Sequence, residues 1–313
     1  MRKFVTVVGG MNVDLTGSPH QPLVLATSNP GEMSLSAGGV GRNIAHNLAL
    51  LSVPTTLLSA VGDDAFGAYA LDATRQAGVN VEYVLKQTGQ RTGTYLSVLN
   101  FEHDLVVAIA DMAATRGVSA EYLAQHERIL AESALIAADT NLDEAALTYL
   151  CDVCETRRIP LLIEPVSVEK SKKLRRINAK ATYITPNRDE LRSISESDTP
   201  DLAAQCACLR DQFEHIFVTL GEQGVYHYQT RAEQGTLYPA IPTTVVNVNG
   251  AGDALVAGLI CGLFYEKPLP ESIRFGIAAA HIALQSPETV NHELSFATIQ
   301  HISGIAGILP AEC

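Results

Sequence analysis

Short, nearly uninterrupted apolar runs alternate with longer helical stretches along most of this chain, and that alternation narrows the fold more than any other feature. Six runs read as strands: Phe4–Val8, Thr56–Ala60, Ala134–Ala138, Leu161–Glu164, Thr182–Thr185 and Ile216–Leu220. Between them Gly41–Leu51, Ala65–Ala77, Asp143–Arg157 and Leu202–Phe213 read as helices. A strand that is apolar on both faces must be covered on both. The pattern therefore predicts an α/β fold, a mostly parallel central sheet with helices on both faces. The last third is helical, at Ala251–Phe264, Pro270–Leu284 and Ser295–Ile305.

Two segments break the rhythm. Thr92–Phe101 and Leu105–Ala110, around Glu102-His103-Asp104, read as a β-hairpin, and Thr16–Ser36 reads as one or two further strands. They predict a small β-sheet drawn discontinuously from about residues 15–36 and 91–111, either a lid over a site at the strand ends or a plain surface hairpin. A length of 313 residues would suit two domains, at about 150 residues each. With no linker, repeat or low-complexity tract, the expectation is one α/β domain over residues 1–313 carrying this small sheet.

Composition excludes several classes of function. At 47% apolar and 18% charged residues the chain has ample core-forming material and is not a disordered one. Twenty-two basic residues against 34 acidic leave a net charge of −12, which repels a polyphosphate backbone and argues against polymeric nucleic acid. A nucleotide is not excluded, because local backbone amides can hold a small anion. No apolar run reaches the roughly 18 residues that span a bilayer. Met1-Arg2-Lys3 ahead of Phe4–Val8 looks like the start of a signal peptide, but the apolar stretch is short and leads through Gly9-Gly10 to Asn12 and Asp14. It reads as a first buried strand, and the protein as cytoplasmic. Six cysteines fit a reducing compartment; Cys151 and Cys154 form a lone CxxC within a helix and read as buried thiols in preference to a redox or metal pair.

The strongest chemical signal is Asn249-Gly250-Ala251-Gly252-Asp253, which opens the helix Ala251–Phe264. Glycines admit a ligand close to the backbone, and first-turn amides point unpaired N–H groups at an anion. A carboxylate crowded into such a turn makes sense if Asp253 takes a proton from a hydroxyl attacking a phosphate; alone, the turn is equally an acidic helix start. It is not a P-loop, since no GxxxxGK[ST] and no turn lysine are present. Gly38-Gly39-Val40-Gly41-Arg42-Asn43 opens another helix, with small residues and an amide suited to a polyol. Gly9-Gly10-Met11-Asn12-Val13-Asp14 follows the first strand, at the edge where open α/β sheets bind ligands.

Taken together, Gly38-Gly39 with Asn43 and Asn249-Gly250-Ala251-Gly252-Asp253 resemble the two signatures of the ribokinase-like (PfkB) carbohydrate and nucleoside kinases. Between them, Asn187-Arg188-Asp189-Glu190 resembles the family's N-x-x-E motif, and Thr219-Leu220-Gly221-Glu222-Gln223-Gly224 its T-x-G-x-x-G nucleotide loop. The resemblance covers essentially the whole chain. Longer stretches, among them Pro30–Leu51, Thr94–Met112 and Glu121–His126, look most like the pseudouridine-kinase branch of the family.

The resemblance implies an ATP- and Mg²⁺-dependent kinase with Asp253 as catalytic base and the amides of Gly250, Ala251, Gly252 and Asp253 as the anion hole. It implies sugar contacts from Asn12, Asp14, Gly38, Gly39 and Asn43, and base contacts from the lid residues Tyr95, Ser97, Asp111 and Met112. ATP would lie against Asn187, Thr219, Gly221, Gly224 and Asn249, with Glu164, Asn187 and Glu190 organising the metal through water. Glu164 stands where many relatives carry Asp, and Asn187 with Glu190 also reads as a helix capping box. Six residues before Asp253, members that need K⁺ carry an acidic residue; here it is Asn247, a poorer cation ligand, so monovalent-cation dependence is left open. The implied acceptor is the 5′-hydroxyl of pseudouridine, against another nucleoside or sugar (uridine, adenosine, ribose or a hexose) or a non-catalytic binding regulator. A homodimer formed through the lid is also implied.

Overall fold

A computed structural model describes residues 4–305 and 311–312; Met1, Arg2 and Lys3, ahead of the first strand, lie outside the described residues. The strands are β1 (Val5–Val8), β2 (Asn12–Pro19), β3 (Gly31–Gly38), β4 (Thr55–Gly62), β5 (Val84–Gln87), β6 (Gly93–Leu99) and β7 (Leu105–Asp111). They continue with β8 (Leu135–Asp139), β9 (Leu161–Glu164), β10 (Ala181–Ile184), β11 (Phe213–Thr219), β12 (Val225–Gln229), β13 (Gln234–Tyr238) and β14 (Ala311–Glu312).

The large sheet runs β14-β13-β12-β11-β10-β9-β8-β1-β4-β5, parallel from β11 through to β5 and antiparallel only from β11 outward to β14. Its strands are buried on both sides because successive residues feed different cores. Val5 and Val7 of β1 pack with the helices Val40–Leu50, Ala251–Phe264 and Leu269–Ala283, while Val8 packs towards Glu144–Arg157. Among the described residues no helix is long and apolar enough to cross a membrane.

One expected element needs correcting. The helix expected over Leu202–Phe213 stops at Ala207, because Phe213 opens β11 and pairs with Ala181 instead of continuing the helical face. β5 was not foreseen. Neither was the β12–β13 hairpin, whose buried positions beyond Val225 are filled by tyrosines and His227 and so carry only a weak apolar signature.

The small sheet has the order β3-β2-β6-β7. Its register makes it two-faced. Leu35, Leu15, Leu96 and Ile109 stand directly opposite one another across the four strands, followed by Met33, Gly17, Val98 and Val107. The other face carries Ser36, Asp14, Tyr95 and Ala110, then Ser34, Thr16, Ser97 and Ala108.

Candidate active site

Parallel strands end on one edge, and this edge gathers the polar residues. From β1 across to β11 it presents Gly9-Gly10, Asp139, Glu164, Thr185 with Asn187, and Thr219. A cavity over its β9–β11 side is lined by Glu164, Thr185, Asn187, Glu190 and Thr219, and closed by Gly250, Gly252 and Asp253 from the helix Ala251–Phe264.

That helix starts without a side-chain cap. Gly250 holds φ at 80°, and a Cβ there would strike the Thr289 carbonyl, so a glycine is required by the protein itself. Gly252 differs: its Cβ would meet no atom within 4 Å. The amides of Gly252 and Asp253 find no acceptor among the described residues. An uncapped helix start with an open space beside it has the geometry to receive an anion.

Asp253 projects from this turn and accepts a hydrogen bond on Oδ2 from Asn43 Nδ2 at 2.9 Å. Burial pushes its carboxyl up to about 7, with Asp139 and Asp14 adding to the rise and the Asn43 bond opposing it. A carboxylate poised near neutrality suits proton uptake.

Asn43 belongs to the helix Val40–Leu50, whose entry depends on two glycines. A Cβ on Gly38 would collide with the Asp14 carboxylate, and Gly39, at φ 100°, passes against the Gly10 carbonyl. Asn12 Nδ2 donates to Asp14 Oδ1 at 2.5 Å. Burial raises the Asp14 carboxyl, while Asn12 and the positive charge of Arg42 work against the rise.

Asp139 was missed in the sequence. It ends β8, and its Oδ2 accepts the amides of both Gly10 and Gly41 at 2.8 Å, while Oδ1 takes the Asn141 amide at 2.8 Å. One buried carboxylate thus ties the first strand's loop to the start of the Val40–Leu50 helix. The only available signal was an acid at the end of a buried apolar strand.

On the opposite side, Asn187 caps the helix Arg188–Ser195 in a reciprocal box, Glu190 N to Asn187 Oδ1 and Asn187 N to Glu190 Oε2, each 2.9 Å. Both remain in the cavity wall, so the structural and site readings of this pair hold together. Glu164 accepts from the Thr185 hydroxyl. Burial drives its carboxyl well above the usual range, and Glu190 and Asp253 add to the rise. Three carboxylates thus face a cavity with no lysine or arginine in its lining. Among the described residues no group of three His, Cys, Asp or Glu is placed to grip a metal directly. This donor set fits a cation that keeps its water, as Mg²⁺ does.

Other expected residues lie farther out. Gly221 (φ 59°) and Gly224 (φ 104°) shape the turn after β11 but, with Asn249, stand outside this cavity's lining. Tyr95 and Ser97 share the polar face with Asp14, and Ser97 Oγ lies 2.9 Å from Thr16 Oγ1. The Met112 thioether covers Gly93 beside Asn12. Asp111 is separated from them: it pairs with Thr94, one step out of phase with Tyr95, and is exposed on the apolar side of the sheet. Asn247 Nδ2 donates to the Pro287 carbonyl and Oδ1 accepts the Asn249 amide, both at 2.9 Å, so its amide braces the turn that leads to Gly250. Cys151 and Cys154 are both buried, and burial pushes the Cys151 thiol up to about 11.

Known proteins resemble this chain along its whole length. The family model for pfkB family carbohydrate kinases matches residues 2–295. Pseudouridine kinase of Escherichia coli is 38% identical over 317 aligned residues, covering 100% of this chain and 98% of that protein. Among solved structures, a carbohydrate kinase from Agrobacterium tumefaciens superposes with a TM-score of 0.86 at 27% identity, covering 99% of each chain. Arabidopsis thaliana ribokinase, solved with ribose and ATP, shares the fold at a TM-score of 0.85 and 20% identity, over 97% of this chain and 99% of its own. The chain is a phosphotransferase with an alcohol acceptor, ribokinase-like in fold, and it belongs to the pfkB family of carbohydrate kinases.

Proposed function

We propose that this enzyme phosphorylates the 5′-hydroxyl of pseudouridine with ATP, giving pseudouridine 5′-phosphate and ADP. The observation that carries the chemistry is Asp253, held on one oxygen by Asn43 beside an open, uncapped helix start. The full-length identity to the Escherichia coli pseudouridine kinase supports the choice of acceptor.

Asp253 takes the O5′ proton as O5′ bonds to the γ-phosphorus and the bond from that phosphorus to the β-bridging oxygen breaks; ADP leaves with the electron pair. The amides of Gly250, Ala251, Gly252 and Asp253 bind the charge on the transferring oxygens. Asn12, Asp14, Gly38, Gly39 and Asn43 hold the sugar, a carboxylate with two amides being matched to a vicinal diol. Glu164, Asn187 and Glu190 would hold Mg²⁺, which when bound would supply charge neutralisation to the phosphates. Thr219, Gly221, Gly224 and Asn249 flank ATP.

The small sheet serves as the lid, with Tyr95, Ser97 and Met112 towards the base and Asp111 farther away. A second copy of the chain covers the lid's apolar face. Its support is the row of Leu35, Leu15, Leu96 and Ile109, of which Ile109 is 64% exposed. Location in the cytoplasm belongs to the same reading, with Cys151, Cys206, Cys208 and Cys261 as free thiols.

The test is coupled ADP release with Mg·ATP on pseudouridine, uridine, adenosine, ribose and fructose, with Asp253→Asn in parallel. The highest kcat/KM on pseudouridine, lost in the variant, is the expected result. A better acceptor among the others would refute the substrate assignment and keep the chemistry. A folded protein with no ADP release on any of them would overturn the kinase reading.

A further inference from the structure

Arg42 is a buried guanidinium, 5% exposed, that the mechanism above does not use. Among the described residues no carboxylate lies within ion-pair distance of it, so a partnered charge does not explain its burial. Its bonds are instead to neutral oxygens. Nε donates to Thr74 Oγ1 at 3.2 Å, and Nη1 is shared between the Ala37 carbonyl at 3.2 Å and Asn43 Oδ1 at 3.3 Å. Thr74 spends its own hydroxyl proton on the Ala70 carbonyl at 2.7 Å, so towards Arg42 it can only accept.

These polarities run in one direction. Arginine has donors and no acceptor, so the end of the Asn43 amide that it touches must be the oxygen. The NH₂ end is thereby turned to Asp253, which it reaches at 2.9 Å on Oδ2. An asparagine amide on its own can rotate end for end; with its oxygen held by a buried, doubly anchored guanidinium, it cannot do so without stranding buried donors.

We propose that Arg42 is a positioning residue for phosphoryl transfer: it clamps Asn43 Oδ1, which keeps Asn43 Nδ2 on Asp253 Oδ2 and leaves Asp253 Oδ1 as the oxygen that receives the acceptor proton. The assignment rests on the kinase reading above. Arg42 acts only through Asn43, and that makes it separable from a merely structural arginine. Losing the clamp matters only while Asn43 is present to be misplaced.

A double-mutant cycle tests this. Arg42→Met, Asn43→Ala and the double variant are compared with wild type for kcat at saturating Mg·ATP and pseudouridine, with folding followed by circular dichroism. Arg42→Met is expected to lower kcat by about 10- to 100-fold in the wild-type background, and by less than about threefold when Asn43 is already alanine. The KM for ATP stays within about twofold throughout. Equal losses in both backgrounds, or no loss in either, overturn the assignment. Should Arg42→Met fail to fold, Thr74→Val, which removes the acceptor of Nε, is run through the same cycle; a loss confined to the Asn43 background supports the clamp, and any other pattern overturns it. An inactive wild type sinks the kinase reading and this assignment together, whereas an active wild type with additive losses sinks the assignment alone.

Discussion

Gly250 and Gly252 are two residues apart in one turn, and the structure predicts opposite consequences for replacing them by alanine. At Gly252 the added methyl meets nothing of the protein within 4 Å, and the residue already lies inside the helix Ala251–Phe264. Alanine is preferred over glycine in a helix by about 0.5–1 kcal/mol, so Gly252→Ala is expected to leave stability unchanged or slightly higher. That gain moves Tm up by no more than about 2–4 °C in a protein of this size. On the proposed mechanism, the same methyl stands where a phosphoryl oxygen approaches the Gly252 amide. Loss of one such donor typically costs about 100- to 1000-fold in kcat, or about 2.7–4 kcal/mol. Gly250→Ala, at φ 80° and against the Thr289 carbonyl, must instead lose stability, by at least the roughly 1–2 kcal/mol of a left-handed alanine. Thermal unfolding and initial rates of ADP release on both variants decide the matter. A Gly252→Ala enzyme with full activity would refute the anion cradle, and an unfolded one would refute the account of open space.

Asp253, raised to about 7, makes kcat/KM climb with unit slope on the acid side and level above about pH 7, read from initial rates between pH 5 and 9. Because its folded value lies above the ordinary 3.8, ionisation costs stability between those two values. Asp253→Asn should therefore gain stability that is absent below about pH 4, grows towards about pH 7 and then levels, while ADP release is lost. Asp139→Ala strands the amides of Gly10, Gly41 and Asn141. At about 1–3 kcal/mol each, urea unfolding should show a loss of several kcal/mol. Leu35→Glu with Ile109→Glu places charge in the exposed apolar row, and sedimentation should shift from dimer to monomer. A wild type already monomeric at micromolar concentration would refute the lid-to-lid pairing.

The sequence by itself determined the elements whose signal is local. Leu161–Glu164 is a strand with the bounds read from its apolar run, because a parallel strand covered on both faces has no polar alternation to blur it. Ala251–Phe264 is a helix as read, its start marked by Gly250 and Gly252. Most of the candidate site was legible for the same reason: Asp253, Asn43, Asn187 and Glu190 sit at fixed offsets from helix starts.

Tertiary structure decided what depends on distant chain. Asp139 earned no notice as one acid among 34, since its role exists only where Gly10 and Gly41 meet it from two other segments. Phe213 reads as well on a helical face as at the start of a strand, and pairing with Ala181 made the choice. Strand register, set by partners that lie far apart in sequence, put Asp111 on the apolar side while Tyr95 and Ser97 joined Asp14. The direction of the Asn43 amide was settled last, by a buried arginine whose bonds to Thr74 and Ala37 form only when the chain has closed around it.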